Sequence, residues 1–427
     1  MHTKTRHLID FAKEKFGLDN YYLKRHRFDR EVTPANETMY IFSMEWFPNE
    51  SAAGQAEEDI NPEGTAVIEI EVNRLKVKSA IFVMGTTFAH NGVSFPNRNP
   101  QEIIQWVEAE TGLTYGKQFL LSREEEGKLQ FAECFEGVAV SPPGYIEVTW
   151  NPQGQLTAFT VYGQFPSAER VEQEVYSLSL NKVEPQAKEQ LKLVSFPSQE
   201  QNRWVPVFAV EEAFVTNDRR SVLPIEFTAS TKSSLPMNRV MDWEKSEEHA
   251  SSVFEEKEIR WLEDIAAEQA FANEPSPDTL PITEEEQEAC VSAVRQYLAQ
   301  EKPEDKGEWT LKKLHREKGC IHATLRASRQ STRLFQRKLI VLVDADTLQV
   351  HNVIDNQALL VMFESLEEPG EIKISAEQAY AKLQSYFELT PYYVYDAQLD
   401  RYRLCGKFDC NYGVDAISGE IVSLDEL

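Results

Sequence analysis

Two distant stretches of this chain open in the same way, and that recurrence constrains the fold more than any other feature. Ser375-Ala376-Glu377-Gln378 is a capping box, with Ser375 as N-cap and Gln378 three residues on. Ala379, Tyr380, Leu383, Tyr386 and Phe387 follow at helical spacing. Strand-like runs come next at Tyr392–Tyr395, Tyr402–Phe408 and Tyr412–Ala416, and a turn at Ile417-Ser418-Gly419-Glu420 returns the chain through Ile421-Val422. Upstream, Thr283-Glu284-Glu285-Glu286 is a second capping box, followed by the apolar stripe Ala289, Cys290, Ala293, Val294, Tyr297 and Leu298. Its strand-like runs are Trp309–Leu314, Cys320–Leu325 and Leu334–Val343. Val343-Asp344-Ala345 and Val414-Asp415-Ala416 occupy the same strand-to-turn point, where an Asp side chain satisfies turn amides.

The first half repeats the order more loosely. Asn99-Pro100 is an N-cap-then-Pro helix start, Ile103, Ile104, Trp106 and Val107 form the stripe, and Thr111-Gly112-Leu113 stops it. Strand-like runs follow at Phe119–Leu121, Leu129–Phe135, Tyr145–Trp150 and, past Asn151-Pro152-Gln153-Gly154, Leu156–Tyr162. A helix over Leu8–Phe16, stopped at Gly17-Leu18, precedes runs at Tyr40–Trp46, Ala66–Val72 and Lys78–Met84, and a further copy starts near Val171. Between the halves, Thr228–Pro236 reads as loop. Asp242–Asn273 reads as an acidic helix with Ile259, Leu262, Ile265 and Ala266 on one face, either packed on a lobe or docking a partner. The expected fold class is α+β: tandem units of one helix packed on a small antiparallel β-meander, arranged in two lobes. The N-terminal lobe covers 1–230 in units of about 1–97, 98–170 and 171–228. An acidic helical connector covers 231–281, and the C-terminal lobe covers 282–427 in units of about 282–360 and 361–427.

A chain of 427 residues is too long for one ordinary core, which agrees with two lobes. Its net charge of −26 repels phosphate backbones and anionic lipid surfaces, so neither nucleic acid nor membrane is an expected partner. A basic partner is compatible with that charge. No run approaches the ~20 apolar residues of a membrane-crossing helix, and the charged opening Met1–Phe16 lacks the apolar core of a signal peptide. Cys134, Cys290, Cys320, Cys405 and Cys410 are odd in number and irregular in spacing, so reduced thiols and a cytoplasmic location are expected.

With the capping box, the Tyr392-Tyr393-Val394-Tyr395 strand and the Val414–Ile421 hairpin in view, the last unit resembles a PepSY-type domain. It is most similar to the YcdB/YcdC repeat proteins of Bacillus-like bacteria, well over 374–424, fairly over 282–355 and thinly over 1–230. The resemblance implies a helix packed on a small antiparallel sheet, repeated along the chain, and no catalytic residue. Related modules occur in peptidase propeptides, which implies restraint of a peptidase or a role in envelope sensing. The missing export signal departs from the family pattern and argues against the envelope role.

Catalytic and ligand-binding motifs are absent by sequence. There is no Gly-x-Ser-x-Gly elbow, no phosphate-binding glycine loop and no Cys-x-x-Cys pair. His315, Cys320 and His322 form His-x4-Cys-x-His, which is no zinc spacing, and His351, the nearest fourth ligand, belongs to another expected strand. Cys134 and the Cys405/Cys410 pair read as packed strand residues. Neither a metal nor any other cofactor is expected. Carboxylate pairs at Glu69/Glu71 and Glu211/Glu212 leave open a hydrolase working in a cleft between lobes, and a small-ligand binding or sensing role is the other alternative. Tyr392, Tyr393, Tyr395 and Tyr402 face either the core or outward, where an aromatic row would suit capture of a protein or peptide. The leading expectation is a non-enzymatic protein-interaction module that restrains a peptidase or regulates another partner.

Overall fold

The structure is a computed structural model that describes residues 2–49, 61–225, 234–244, 254, 256–259, 263–329 and 332–427. It is a mixed α and β protein whose sheets are mostly antiparallel. The chain forms two compact units, each assembled from separated segments: 1–174, 262–276 and 392–404 in the first, 175–261, 277–391 and 405–427 in the second. The lobe boundary expected at residue 230 therefore falls inside the second unit. Among the described residues no helix is long and apolar enough to cross a membrane.

In the first unit, helices Thr3–Phe16 and Pro100–Thr111 begin and end as their sequences demand. Asn99 Oδ1 accepts the Glu102 N–H at 2.8 Å, and Gly17 and Gly112 close the two helices in the left-handed conformation. The strands run in the spatial order Tyr21–Val32, Thr38–Pro48, Ala66–Glu71, Lys76–Phe82, Leu156–Tyr162, Tyr145–Trp150, Lys128–Phe135 and Val138–Ser141. Alternation sends Tyr40, Phe42, Met44, Ile68, Ile70, Phe131, Ile146, Val148 and Phe159 to one buried face. Leu8, Ala12 and Phe16 of one helix and Ile103 and Val107 of the other join them in a single core. The units expected at 1–97 and 98–170 therefore share one sheet and one core, because Lys76–Phe82 pairs directly with Leu156–Tyr162.

In the second unit, helix Glu284–Glu301 buries Cys290, Val291, Val294, Leu298 and Ala299 against a five-stranded antiparallel sheet. The strands are Leu235–Met241, Trp309–Glu317, Cys320–Ala327, Lys338–Asp344 and Val350–Asp355, paired in chain order. The Thr283 capping box is closed both ways: Thr283 Oγ1 accepts from the Glu286 N–H at 3.3 Å, and Glu286 Oε2 accepts from the Thr283 N–H at 2.8 Å. Thr283→Ala is expected to remove about 1 kcal/mol, read as faster amide exchange in the first turn of this helix.

Helix Ala376–Leu383 starts from its own closed box at Ser375. Its strands do not form one meander. Tyr412–Asp415 pairs with Arg203–Val210, Cys405–Phe408 pairs with Ala213–Thr216, and Tyr392–Val394 lies parallel to Ala139–Ser141. The strands of the last expected unit thus take partners far away in sequence and fall in two sheets, and one of these ladders is parallel.

The two Asp turns agree in detail. Asp344 Oδ1 accepts from the Asp346 and Thr347 N–H groups, and Asp415 Oδ1 accepts from those of Ile417 and Ser418. Among the described residues the expected connector helix forms over Ala267–Ala272; residues 256–259 are not helical, and 245–253, 255 and 260–262 lie outside the described residues.

Candidate functional site

The four tyrosines singled out by sequence do not form an exposed row. Tyr393, Tyr395 and Tyr402 are buried and Tyr392 is half-buried. Three consecutive buried residues, Tyr393-Val394-Tyr395, mean that both faces of this strand are covered, so alternation sends neither set to solvent. Tyr393 meets Phe135 edge-on at 5.3 Å, Tyr395 and Tyr402 lie 5.3 Å apart, and the Tyr395 hydroxyl donates to Asp400 at 2.7 Å.

The expected carboxylate pairs are occupied by ordinary partners. Glu69 accepts from the Ser79 hydroxyl at 2.9 Å, and Glu71 lies 3.4 Å from Arg74. Glu211 is exposed. Glu212 shares the Lys407 ammonium, at 3.1 Å, with Asp409, at 2.8 Å. Burial and the Asp409 neighbour push Glu212 upward. Cys134, Cys405 and Cys410 are buried thiols, and burial raises Cys134 and Cys410 above the usual range.

The carboxyl with the largest perturbation was missed. Glu133 lies on the Lys128–Phe135 strand, fully inside. Its Oε1 accepts the Phe165 N–H at 2.5 Å, while Oε2 is buried without a partner. Burial pushes this carboxyl up to about 7, against the opposing pull of the Phe165, Gln164 and Gly144 amides. The sequence held a sign of it: in Phe131-Ala132-Glu133-Cys134-Phe135 the glutamate shares its strand face with two phenylalanines.

Two further constellations emerge in the second unit. His315 and His322, on neighbouring strands, stand directly opposite each other, with ring centroids 4.8 Å apart. Glu317 joins them, its Oε2 3.3 Å from His315 Nε2 and 3.6 Å from His322 Nδ1. Burial first, and then the facing His315, pull His322 down to about 4, so it is neutral at pH 7. Of the residues weighed with them by sequence, Cys320 stands across from Glu317 and Asp344 but is outside the group of converging donor atoms, and His351 Nε2 lies 3.1 Å from the Glu258 carbonyl oxygen.

The second constellation is an apolar surface. Phe335, Leu359, Val361 and Met362 are 46, 72, 54 and 62% exposed. Phe335 stands on a fixed base: it stacks on Phe363 at 5.2 Å with planes 4° apart, and Phe363 lies 5.8 Å from the buried Trp204. The Arg333 guanidinium covers the Trp204 ring at 4.4 Å. Glu364, Glu367, Glu368 and Glu371 follow at once in the chain and are exposed.

No protein-family model matches the chain, and no curated protein matches it. Among solved structures, a chain titled "Bacillus megaterium YpeB C-terminal domain" is similar at 8% identity and a TM-score of 0.24. The alignment covers 82% of this chain and 96% of that one. Likeness of that degree carries no argument about activity.

Proposed function

We propose that this protein is a non-enzymatic interaction module that docks an apolar, basic segment of a partner protein on the face around Phe335 and Met362. The observation that carries the reading is the exposure of the large apolar side chains Phe335, Leu359, Val361 and Met362, with Phe335 stacked on Phe363, the residue that follows Met362. Monomeric proteins seldom leave large apolar side chains gathered in this way without a use. The acidic residues that follow, Glu364 to Glu371, favour lysine or arginine beside the apolar anchors, as does the net charge of −26.

The PepSY-like and YcdB/YcdC resemblance of 282–355 and 374–424 supports the same class of role, and a peptidase is the first partner to test. On this reading the capped helices and Asp turns are the remains of a repeated helix-plus-meander unit whose strands have since taken distant partners.

Fluorescence titration with a labelled amphipathic peptide carrying leucine, phenylalanine and lysine tests the docking face. Met362→Glu and Phe335→Ser are expected to weaken binding by roughly tenfold or more, the scale of an interface anchor, Met362→Glu without lowering thermal stability. Equal affinity of the peptide for the native and substituted proteins would remove this reading.

A further inference from the structure

The hairpin that joins Trp309–Glu317 to Cys320–Ala327 turns through only two residues, Lys318 and Gly319, at φ of 50° and 74°. Two consecutive positive φ values are the mark of a type I′ turn, whose twist matches the flanking strands and fixes their register. That register sets Glu317 opposite Cys320 and His315 opposite His322. Ile321 and Ala323 point into the core under helix Glu284–Glu301, so His322 between them points to the other face of the sheet. His315, its direct partner, shares that face, and Glu317, two residues along, does too. Three metal-ligating side chains are thus brought together by one turn.

Their donor atoms already lie near ligand spacing. Oε2 of Glu317 is 3.3 Å from His315 Nε2 and 3.6 Å from His322 Nδ1, and all three ligand atoms fall within 4.8 Å of one another. Bonds of about 2.1 Å in tetrahedral geometry place ligands ~3.4 Å apart, so a small closing movement seats an ion. His322 is 8% exposed and anchors the inner side, whereas the Glu317 side chain is 47% exposed and opens outward. His315 Nδ1 is buried without a protein partner, so no competing hydrogen bond fixes that ring.

We propose that His315, Glu317 and His322 form a site for a divalent transition-metal ion of the zinc class, with three protein ligands and one position open to water. The two imidazole nitrogens are borderline donors and outnumber the one hard carboxylate oxygen, which favours zinc, cobalt or nickel over the oxygen-seeking magnesium and calcium. The site is independent of the docking face, since none of its three residues belongs to that surface.

The test is titration of the full-length, chelator-stripped protein with cobalt(II), followed by its visible absorption, and displacement by zinc(II). One equivalent bound, with the intense bands of a low-coordinate cobalt centre and displacement by zinc but not by magnesium, is expected. Glu317→Gln, at a half-exposed position where folding is not at stake, is expected to weaken binding by at least roughly 10-fold, the lower end of what even an outer-shell change costs. His315→Ala and His322→Ala should each weaken it further, while His351→Ala leaves it unchanged. A native protein that shows no saturable cobalt spectrum, or a Glu317→Gln and His315→Ala pair that bind as the native protein does, overturns the proposal.

Discussion

Replacing Trp309 with Ala is expected to destabilise the second unit by about 3–5 kcal/mol, the range for removing a large buried aromatic ring. Trp309 is 1% exposed and begins the strand that carries His315 and Glu317. Its neighbours in the ladder are Met241 on one side and Ala327 on the other, and helix Glu284–Glu301 packs on the same core. A cavity bounded by two paired strands and a helix has little room to collapse, which places the loss toward the upper end. The indole is also tied at its edge: Nε1 donates to Asp305 at 3.2 Å, and the Arg337 guanidinium lies 5.6 Å from the ring centre. Amide hydrogen exchange across the 309–343 strands is the proper readout, since a protein of two units need not unfold in one step. Protection in that sheet should fall by roughly two to four orders of magnitude, while the 128–162 strands of the first unit keep theirs. A loss under about 1 kcal/mol would mean that this core repacks around the gap.

Local structure was legible in the sequence because its causes lie within a few residues. The Thr283 and Ser375 boxes, the Asn99-Pro100 start and the stops at Gly17 and Gly112 each depend on partners no more than four positions away. The matched Asp344 and Asp415 turns belong to the same class. Strand partnership was not legible. Phe408 meets Ala213, Val414 meets Phe208, and Tyr392 runs parallel to Ala139. Nothing within any of these segments encodes its distant neighbour, and for that reason the burial of Tyr393 and Tyr395 and the interleaving of the two units were invisible. The histidine site lies between these cases. The order His-x4-Cys-x-His matches no zinc spacing and led to no expected metal, but spacing along the chain is the wrong measure inside a hairpin. Once Lys318-Gly319 is read as a two-residue turn, the register follows: His315 faces His322, and Glu317, across from Cys320, supplies the third converging donor. The apolar face at 334–363 carried no periodic pattern, because its residues come from a loop and a single short helical turn.

Between pH 4.5 and about 7 the native protein should lose stability relative to the Glu133→Gln variant, in which the contribution of this carboxyl is absent. Glu133 is 3% exposed, with Oε1 on the Phe165 amide and Oε2 unpartnered against Gly144 and Gly163. A Cβ at Gly144 would fall 2.0 Å from Oε2 and one at Gly163 2.2 Å from it, so glycine at both positions is what admits the carboxyl group. Enclosure of this kind favours the neutral acid and pushes the group up to about 7 from an ordinary 4.5. The folded state therefore holds its proton over a range in which the unfolded state has released it. Below pH 4.5 both states are protonated and the full stability is present; between 4.5 and 7 the folded state binds more protons, and unfolding becomes easier with each rise in pH. At 1.36 kcal/mol per unit the whole shift corresponds to about 3 kcal/mol. Glutamine keeps a carbonyl for the Phe165 amide and carries no charge to bury, so the variant is expected to be the more stable protein at pH 8. Urea midpoints at pH 5, 6, 7 and 8 for the two proteins decide the matter, because their difference cancels every other titrating group. Curves that stay parallel across that range would show that the Glu133 slot does not govern the pH response.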